Sequence, residues 1–129
     1  MTDELYYLAL VSLLTAVMWV PYILNMIAVR GLAGAVGYPD NPKPLAPWAA
    51  RMKAAHANAV ENLVVFAAVV LVAHVAGVSN EVTVVASALY FWVRVAHFAA
   101  YTFRIPWVRT LAFVAGSVCQ VLIALQVLR

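Results

Sequence analysis

The sequence predicts an all-α membrane protein built as a bundle of four transmembrane helices. Of its 129 residues, 67% are hydrophobic and only 10% are charged, whereas a soluble domain is about half apolar and about a quarter charged. Four apolar segments follow one another along the chain, and each is long enough to cross a hydrocarbon core about 30 Å thick. Backbone groups in lipid need internal hydrogen-bond partners, so these segments must be helices.

The whole chain, residues 1–129, is expected to form one domain. Its predicted helices cover about residues 4–29, 47–77, 81–103 and 106–128. The first helix contains Pro21, which removes one backbone hydrogen bond and predicts a kink near the carbonyl of Val17. The first loop, residues 31–46, is rich in Gly and Pro and contains no predicted element. The later connections are short, so the helices that they join should be antiparallel neighbours.

Several function classes are disfavoured by composition. The net charge of +3 is small and there is no basic run, which argues against nucleic-acid binding. The single cysteine, Cys119, lies in an apolar segment and is expected to be a buried packing residue. The three histidines lack metal-ligand spacing, so no metal site is predicted. The N-terminus is acidic where a cleavable signal peptide is basic.

The distribution of charge predicts how the bundle lies in the membrane. Basic residues flank the first and third loops, at Arg30, Lys43, Arg51, Lys53, Arg104 and Arg109. The second loop has no basic residue, and the N-terminus carries only acids. By the positive-inside rule, the first and third loops face the cytoplasm and both termini lie outside, with Arg129 as the exception. The Ala- and Val-rich chain with its short loops suggests a bacterial inner-membrane protein.

Polar residues open the second helix. At 3.6 residues per turn, Arg51, Asn58 and Glu61 fall on one face. A carboxylate within a membrane span is energetically expensive unless it has a partner or a function. Glu61 is the only carboxylate placed inside a predicted span and away from its ends.

The third helix carries a second polar stripe. It consists of Tyr90, Arg94, His97 and Tyr101, at i, i+4, i+7 and i+11. An arginine this deep in a span normally faces the bundle interior and pairs with a carboxylate. We therefore expect a contact between Arg94 and Glu61. A purely structural interpretation is that this ion pair only joins two helices.

The cations of the predicted cytoplasmic half outnumber its one carboxylate. Together with nearby polar groups, the cluster consists of Arg30, Arg51, His56, Asn58, Arg94, His97, Tyr101, Arg104 and Arg109. Such a cluster predicts a partly desolvated, electropositive pocket for an anionic ligand. Taken singly, His56 and His97 are more often hydrogen-bonding packing residues than ligands.

Three motifs carry a resemblance to a known family. They are AHANAVEN at residues 55–62, RVAH at residues 94–97 followed by Tyr101, and PWVRT at residues 106–110. In this order and spacing they resemble the MAPEG family, the membrane-associated proteins in eicosanoid and glutathione metabolism. The resemblance implies a homotrimer of four-helix subunits, with glutathione bound as co-substrate between neighbouring subunits.

The resemblance also implies roles for individual residues. It assigns glutathione binding to Arg30, Arg51, His56, Asn58, Glu61, Arg94, His97 and Tyr101. Arg104 extends the same stripe and joins this set. Arg109 would stabilise the thiolate, assisted by the hydroxyl of Thr110. Ala54 departs from the family, which commonly has Arg there in an Arg-Ala-His motif; Arg51 lies on the same face one turn earlier.

The leading hypothesis is a glutathione-dependent transferase or peroxidase that acts on lipophilic electrophiles or hydroperoxides delivered from the lipid bilayer. Two alternatives remain open. One is a non-catalytic member that binds an anion or a lipid in the same pocket. The other is a small proton-coupled transporter that uses Glu61.

Overall fold

The computed structural model describes residues 1–129 and contains helices as its only regular elements. In chain order they are α1 (Asp3–Val17), α2 (Trp19–Val36), α3 (Pro47–Val75), α4 (Glu81–Thr102) and α5 (Pro106–Leu128). α1 and α2 together form one apolar span, so four spans have the length and hydropathy to cross a membrane. The predicted all-α, four-span class is confirmed.

The first span is interrupted where Pro21 predicts a kink. α1 ends at Val17, Met18 forms a turn, and α2 starts at Trp19. Because proline has no N–H, the carbonyl of Val17 loses the donor that would come four residues later. The helix axis therefore breaks one turn before Pro21.

The first loop is shorter than the sequence predicts. α2 continues to Val36 and includes a kink at Gly31, whose φ of 74° and ψ of 165° are not helical. Gly31 adopts this conformation without the steric cost that a β-carbon would bring. The expectation that the helix ends near Val29 and that no element follows is therefore wrong for residues 32–36.

The remaining helices begin at recognisable caps. α3 and α5 each have proline at the first helical positions, Pro47 and Pro106, where its missing N–H costs nothing. α4 begins with a capping box, in which the Asn80 side chain accepts from the Thr83 backbone N–H and Thr83 Oγ1 accepts from the Asn80 backbone N–H. These caps fix where each span starts.

The core of the bundle lies between α1, α3, α4 and α5. It contains Val11, Phe66, Val70, Ala73, Ala86, Tyr90, Cys119 and Ile123. Phe66 and Tyr90 stack with their ring centres 3.9 Å apart. Only 25 of the 129 side chains are buried, and the exposed surface is rich in Val, Leu and Trp. Such a surface suits lipid rather than water, and the protein is an integral membrane protein.

The two ends of the bundle differ in charge. The end formed by the α2–α3 and α4–α5 connections, here called the basic end, carries Arg30, Arg51, Arg104 and Arg109. The opposite end, here called the acidic end, is formed by the two chain termini and the α3–α4 connection. There Asn80 donates to the Gln126 side chain at 3.0 Å, and Thr83 donates to Glu4.

Candidate functional site

A cleft at the basic end brings three arginines together. It has a volume of about 290 Å³ and is lined by Arg51 of α3, Tyr101 of α4, Arg104 of the α4–α5 connection, and Pro106 and Arg109 of α5. No carboxylate lines it. Three guanidiniums without a neutralising acid make the cleft strongly electropositive, and the start of α5 adds the positive end of a helix dipole. The arrangement suits an anion.

Arg51 is held in place by the end of a neighbouring helix. Its Nε donates to the backbone carbonyl of Thr102 at 2.9 Å. Thr102 is the last residue of α4, so its carbonyl has no partner within the helix. A guanidinium at a helix C-terminus also interacts favourably with the helix dipole. Only Nε is used in this contact, which leaves the two Nη groups of Arg51 for a ligand.

Arg109 is oriented by an aromatic ring. Its guanidinium carbon lies 4.9 Å from the centre of the Tyr101 ring, within the range of a cation–π interaction. The Tyr101 ring in turn meets buried His97 edge-on, with ring centres 5.7 Å apart. Three side chains in contact, those of His97, Tyr101 and Arg109, therefore support one wall of the cleft.

Arg104 occupies a backbone position that normally belongs to glycine. Its φ is 61°. The N–H of Ile105 donates to the Ala100 carbonyl at 2.8 Å, and the N–H of Arg104 donates to the Tyr101 carbonyl at 3.4 Å. These are the two bonds of a Schellman motif, whose left-handed residue is usually glycine. A non-glycine residue there costs of order 1 kcal/mol, and such strain is typical of functional sites.

The connection at the acidic end shows the usual form of the same motif. There Gly77 has a φ of 72°. The N–H of Val78 donates to the Ala73 carbonyl at 2.8 Å, and that of Gly77 to the His74 carbonyl at 3.1 Å. The two connections thus share one geometry, and only the connection at the cleft uses an arginine.

A polar network lies deeper between α3, α4 and α5. Arg94 is 3% exposed and donates from Nη2 to Asn58 Oδ1 at 2.8 Å. Asn62 donates to the Asn58 carbonyl at 2.9 Å. Gln120 of α5 donates to the Asn62 carbonyl at 3.1 Å. The network connects three helices and leaves Arg94 Nε without a partner.

The predicted contact between Arg94 and Glu61 is wrong. Glu61 is exposed on the outer face of α3, whereas Arg94 is buried and bonds to Asn58. Ala54, two turns before Glu61, is also exposed. The α3 face that the sequence predicts as one stripe is therefore divided. Arg51 and Asn58 face the bundle, and Glu61 faces away from it.

Three other predicted residues, Arg30, His56 and Thr110, do not line the cleft. Arg30 donates from Nε to the Lys43 carbonyl at 2.8 Å and holds the α2–α3 loop. His56 Nδ1 and the Tyr22 hydroxyl lie 2.6 Å apart and form a hydrogen bond. Thr110 is exposed and donates to the Pro106 carbonyl at 3.3 Å.

Sequence reasoning assigned no role in the site to three contributors, Tyr22, Asn62 and Gln120, although Asn62 lies in the polar stretch that opens the second helix. Gln120 had a detectable signal, because an amide in the middle of an apolar span usually bonds to another helix. Tyr22 had no such signal, since a tyrosine beside a proline in a span is as suited to apolar packing as to hydrogen bonding. No group of three or more His, Cys, Asp or Glu side chains converges in the structure.

Comparison with known proteins gives one match. The model of the MAPEG family matches residues 7–129, nearly the whole chain. Comparisons with curated proteins and with solved structures found no significant match. MAPEG is a family of membrane proteins associated in general with glutathione-dependent chemistry of the transferase and peroxidase type. The four apolar spans and the extent of this match lead to one conclusion: the chain belongs to the MAPEG family.

Proposed function

We propose that the protein is a glutathione-dependent transferase or peroxidase for lipophilic electrophiles or hydroperoxides that reach it from the bilayer. The observation that carries this proposal is the cleft at the basic end, where Arg51, Arg104 and Arg109 meet without a carboxylate. Glutathione has two carboxylates and a thiol, so it presents two anionic groups and one group that becomes anionic when it reacts.

Binding and activation use different arginines. Arg51 and Arg104 take the carboxylates of glutathione, since a guanidinium can bind a carboxylate through two parallel hydrogen bonds. Arg109 acts on sulfur. A free thiol of this type has a pKa of about 8.5, so little thiolate exists at neutral pH. A guanidinium beside the sulfur favours the charged form and increases the reactive fraction.

The two reaction types share this thiolate. In conjugation, sulfur forms a bond to the electrophilic carbon, whose leaving group or π-electron pair takes the negative charge. In hydroperoxide reduction, the thiolate attacks an oxygen and the O–O bond breaks. The attacked oxygen stays on sulfur as a sulfenic acid, and the substrate takes a proton and leaves as an alcohol. The thiol of a second glutathione then attacks that sulfur, forms the disulfide and releases the oxygen as water. Exposed apolar side chains near the cleft, such as Trp107 and Ile105, provide an approach from lipid.

We also propose that the subunits assemble as homotrimers. Glu61 is the central residue of α3 and is exposed, and a charged group is expensive on a lipid-facing surface. A neighbouring subunit that covers this face would remove the cost. Glu61 would then accept from the glutathione amino group, completing from a second subunit a site that binds the carboxylates in the first.

The proposed orientation places the basic end on the cytoplasmic side. Arg30, Arg51, Arg104 and Arg109 lie at this end, and only Arg129 and acids lie at the other. The positive-inside rule favours this arrangement. It would give the cleft direct access to a cytoplasmic pool of glutathione.

The test is calorimetric titration of glutathione into the purified protein, with thiolate followed by its ultraviolet absorbance. Wild type should bind and develop the thiolate signal. Arg109→Ala should still bind through Arg51 and Arg104, though more weakly, and should lose that signal, because it removes the group beside the sulfur atom. Arg129→Ala, which removes an exposed arginine at the acidic end, serves as the control and should match wild type.

Two results would overturn parts of this proposal. A normal thiolate signal in Arg109→Ala would remove Arg109 from the chemistry. Absence of binding at millimolar glutathione would favour a non-catalytic member that holds another anion or a lipid. Ala54 supports that second candidate, since an exposed alanine stands where the family commonly has an arginine.

A further inference from the structure

A second cavity lies at the acidic end, away from the cleft. It has a volume of about 250 Å³ and is lined by the start of α1, the end of α3 and the α3–α4 connection, including Thr2, Glu4, His74, Gly77 and Ser79. No lysine or arginine lines it. Nothing in the proposed thiol chemistry uses this cavity, which adjoins the apolar core at Val70 and Ala73.

Glu4 is the unusual member of this lining. It is 4% exposed. Its Oε1 accepts hydrogen bonds from Ser79 Oγ at 2.9 Å and from Thr83 Oγ1 at 2.5 Å, which joins α1 to the α3–α4 connection. Its Oε2 is buried and has no hydrogen-bond partner. A buried carboxylate oxygen without a partner is costly, so a donor or a cation is needed there.

Glu4 lies in the first turn of α1, whose N-terminus carries partial positive charge, whereas the rest of the lining favours a cation. α3 ends at Val75 beside the cavity, and the C-terminal end of a helix carries partial negative charge. Thr2 and Ser79 add hydroxyl oxygens. His74 is the other titratable group in the lining, and a neutral imidazole can accept a hydrogen bond. The cavity therefore offers acceptors and one full negative charge.

Size and ligand count narrow the class of cation. One water occupies about 30 Å³ of liquid volume, so a cavity of about 250 Å³ exceeds the space that a single inorganic ion requires. Divalent metals usually bind several carboxylate or imidazole ligands, and no group of three such side chains converges in the structure. A small organic cation with N–H donors fits both observations.

We propose that this cavity binds a primary ammonium group, with the Glu4 carboxylate as its charged acceptor. The ammonium group contributes three donors, which match the carboxylate, a hydroxyl and a terminal helix carbonyl. It belongs either to a free small amine or to the headgroup of an aminophospholipid in the adjoining leaflet. The site is independent of the cleft and of glutathione.

The first experiment needs no variant. Thermal unfolding of the wild-type protein is measured in phosphatidylcholine nanodiscs with ethanolamine, choline or sodium chloride at equal ionic strength. Choline has the same charge and hydroxyl tail but no N–H. Binding to the folded state raises the Tm, and saturating ethanolamine should raise it by about 2 °C or more. Choline and sodium chloride should not.

The source of the ammonium is tested in a second arm. The protein is placed in nanodiscs with or without phosphatidylethanolamine, and retained lipid is identified by native mass spectrometry. A Tm rise with free ethanolamine assigns a soluble amine. A rise with phosphatidylethanolamine alone, together with selective retention of that lipid, assigns a headgroup.

Variants then test whether the Tm shift with ethanolamine or phosphatidylethanolamine depends on Glu4. Glu4→Gln keeps the shape but removes the charge, and should lower amine affinity by about tenfold or more, in line with the strength of a charge-assisted bond. Asp3→Asn changes the adjacent, exposed carboxylate and should leave the shift intact. Ser79→Ala provides a milder change where Glu4→Gln does not fold. Equal shifts with choline and ethanolamine, or no shift in either arm, would overturn the proposal.

Discussion

The guanidinium carbon of Arg109 lies 4.9 Å from the centre of the Tyr101 ring. The contact joins α4 to α5 across the turn that connects them, and it directs a charged group along one wall of the cleft. Because Arg109 is exposed, the aromatic ring is what limits the orientations that its guanidinium can adopt.

This contact should be measurable as a coupling free energy. In a double-mutant cycle of Arg109→Ala and Tyr101→Leu, the free energies of unfolding should show a coupling of about 0.5–1 kcal/mol. A parallel cycle with Tyr101→Phe should give a coupling near zero, because phenylalanine keeps the ring. Equal couplings for the Leu and Phe replacements would mean that the tyrosine hydroxyl, rather than the ring, interacts with Arg109.

Replacing Arg104 with glycine should stabilise the fold and weaken the site. Its left-handed backbone costs an L-residue roughly 1–2 kcal/mol, while glycine loses more chain entropy on folding. Arg104→Gly should therefore raise the free energy of unfolding by about 0.5–1 kcal/mol. The same variant should bind glutathione more weakly, because one of the three guanidiniums that line the cleft is lost.

The α3–α4 connection provides the matched control for this prediction. Gly77 has the same left-handed conformation, and a β-carbon added there would meet no atom within 4 Å. Gly77→Ala should therefore destabilise the protein through backbone strain alone and leave glutathione binding unchanged. A loss of stability in Arg104→Gly would show that contacts of the Arg104 side chain outweigh its backbone strain.

Removing the side-chain amide of Asn58 should destabilise the protein. Asn58→Ala leaves Arg94 buried without the acceptor that lies 2.8 Å away. Polar contacts between membrane helices contribute about 0.6–2 kcal/mol, so the free energy of unfolding should decrease by an amount in this range. Unfolding of the detergent-solubilised protein by a denaturing detergent measures it.

Glu61 supplies the control for Asn58. Glu61→Ala changes an exposed residue about one turn further along the same helix, and the free energy of unfolding should change by no more than about 0.5 kcal/mol. A large loss in Glu61→Ala with none in Asn58→Ala would restore the Arg94–Glu61 pair that the sequence suggests.

Tyr22 and His56 should contribute to the docking of α2 on α3. Tyr22→Phe removes the hydroxyl that lies 2.6 Å from His56 Nδ1 and should lower the free energy of unfolding by about 0.5–1.5 kcal/mol. Tyr38→Phe removes the same group from a fully exposed loop residue and should have no measurable effect. Equal effects from the two replacements would contradict a structural role for this hydrogen bond.

The class of fold follows from the sequence because it depends on composition and length. Four long apolar segments in lipid can only be helices, since each backbone group needs an internal partner. Pro21, Pro47 and Pro106 mark a break and two beginnings for the same local reason, the missing N–H. The concentration of arginines at one end of the bundle can likewise be predicted from the sequence. The three arginines and the tyrosine that line the cleft were therefore within the predicted set, whereas Ala100, Ile105 and Pro106 were not.

Tertiary structure alone decided which side of each helix faces inward. In a soluble helix an apolar stripe identifies the buried face. In lipid the outer face is as apolar as the core, so periodicity could not show that Glu61 points out while Asn58 points toward Arg94. Packing also placed Gly31 and Arg104 in left-handed backbone conformations. Those conformations arise where helices must change direction, which local sequence does not specify.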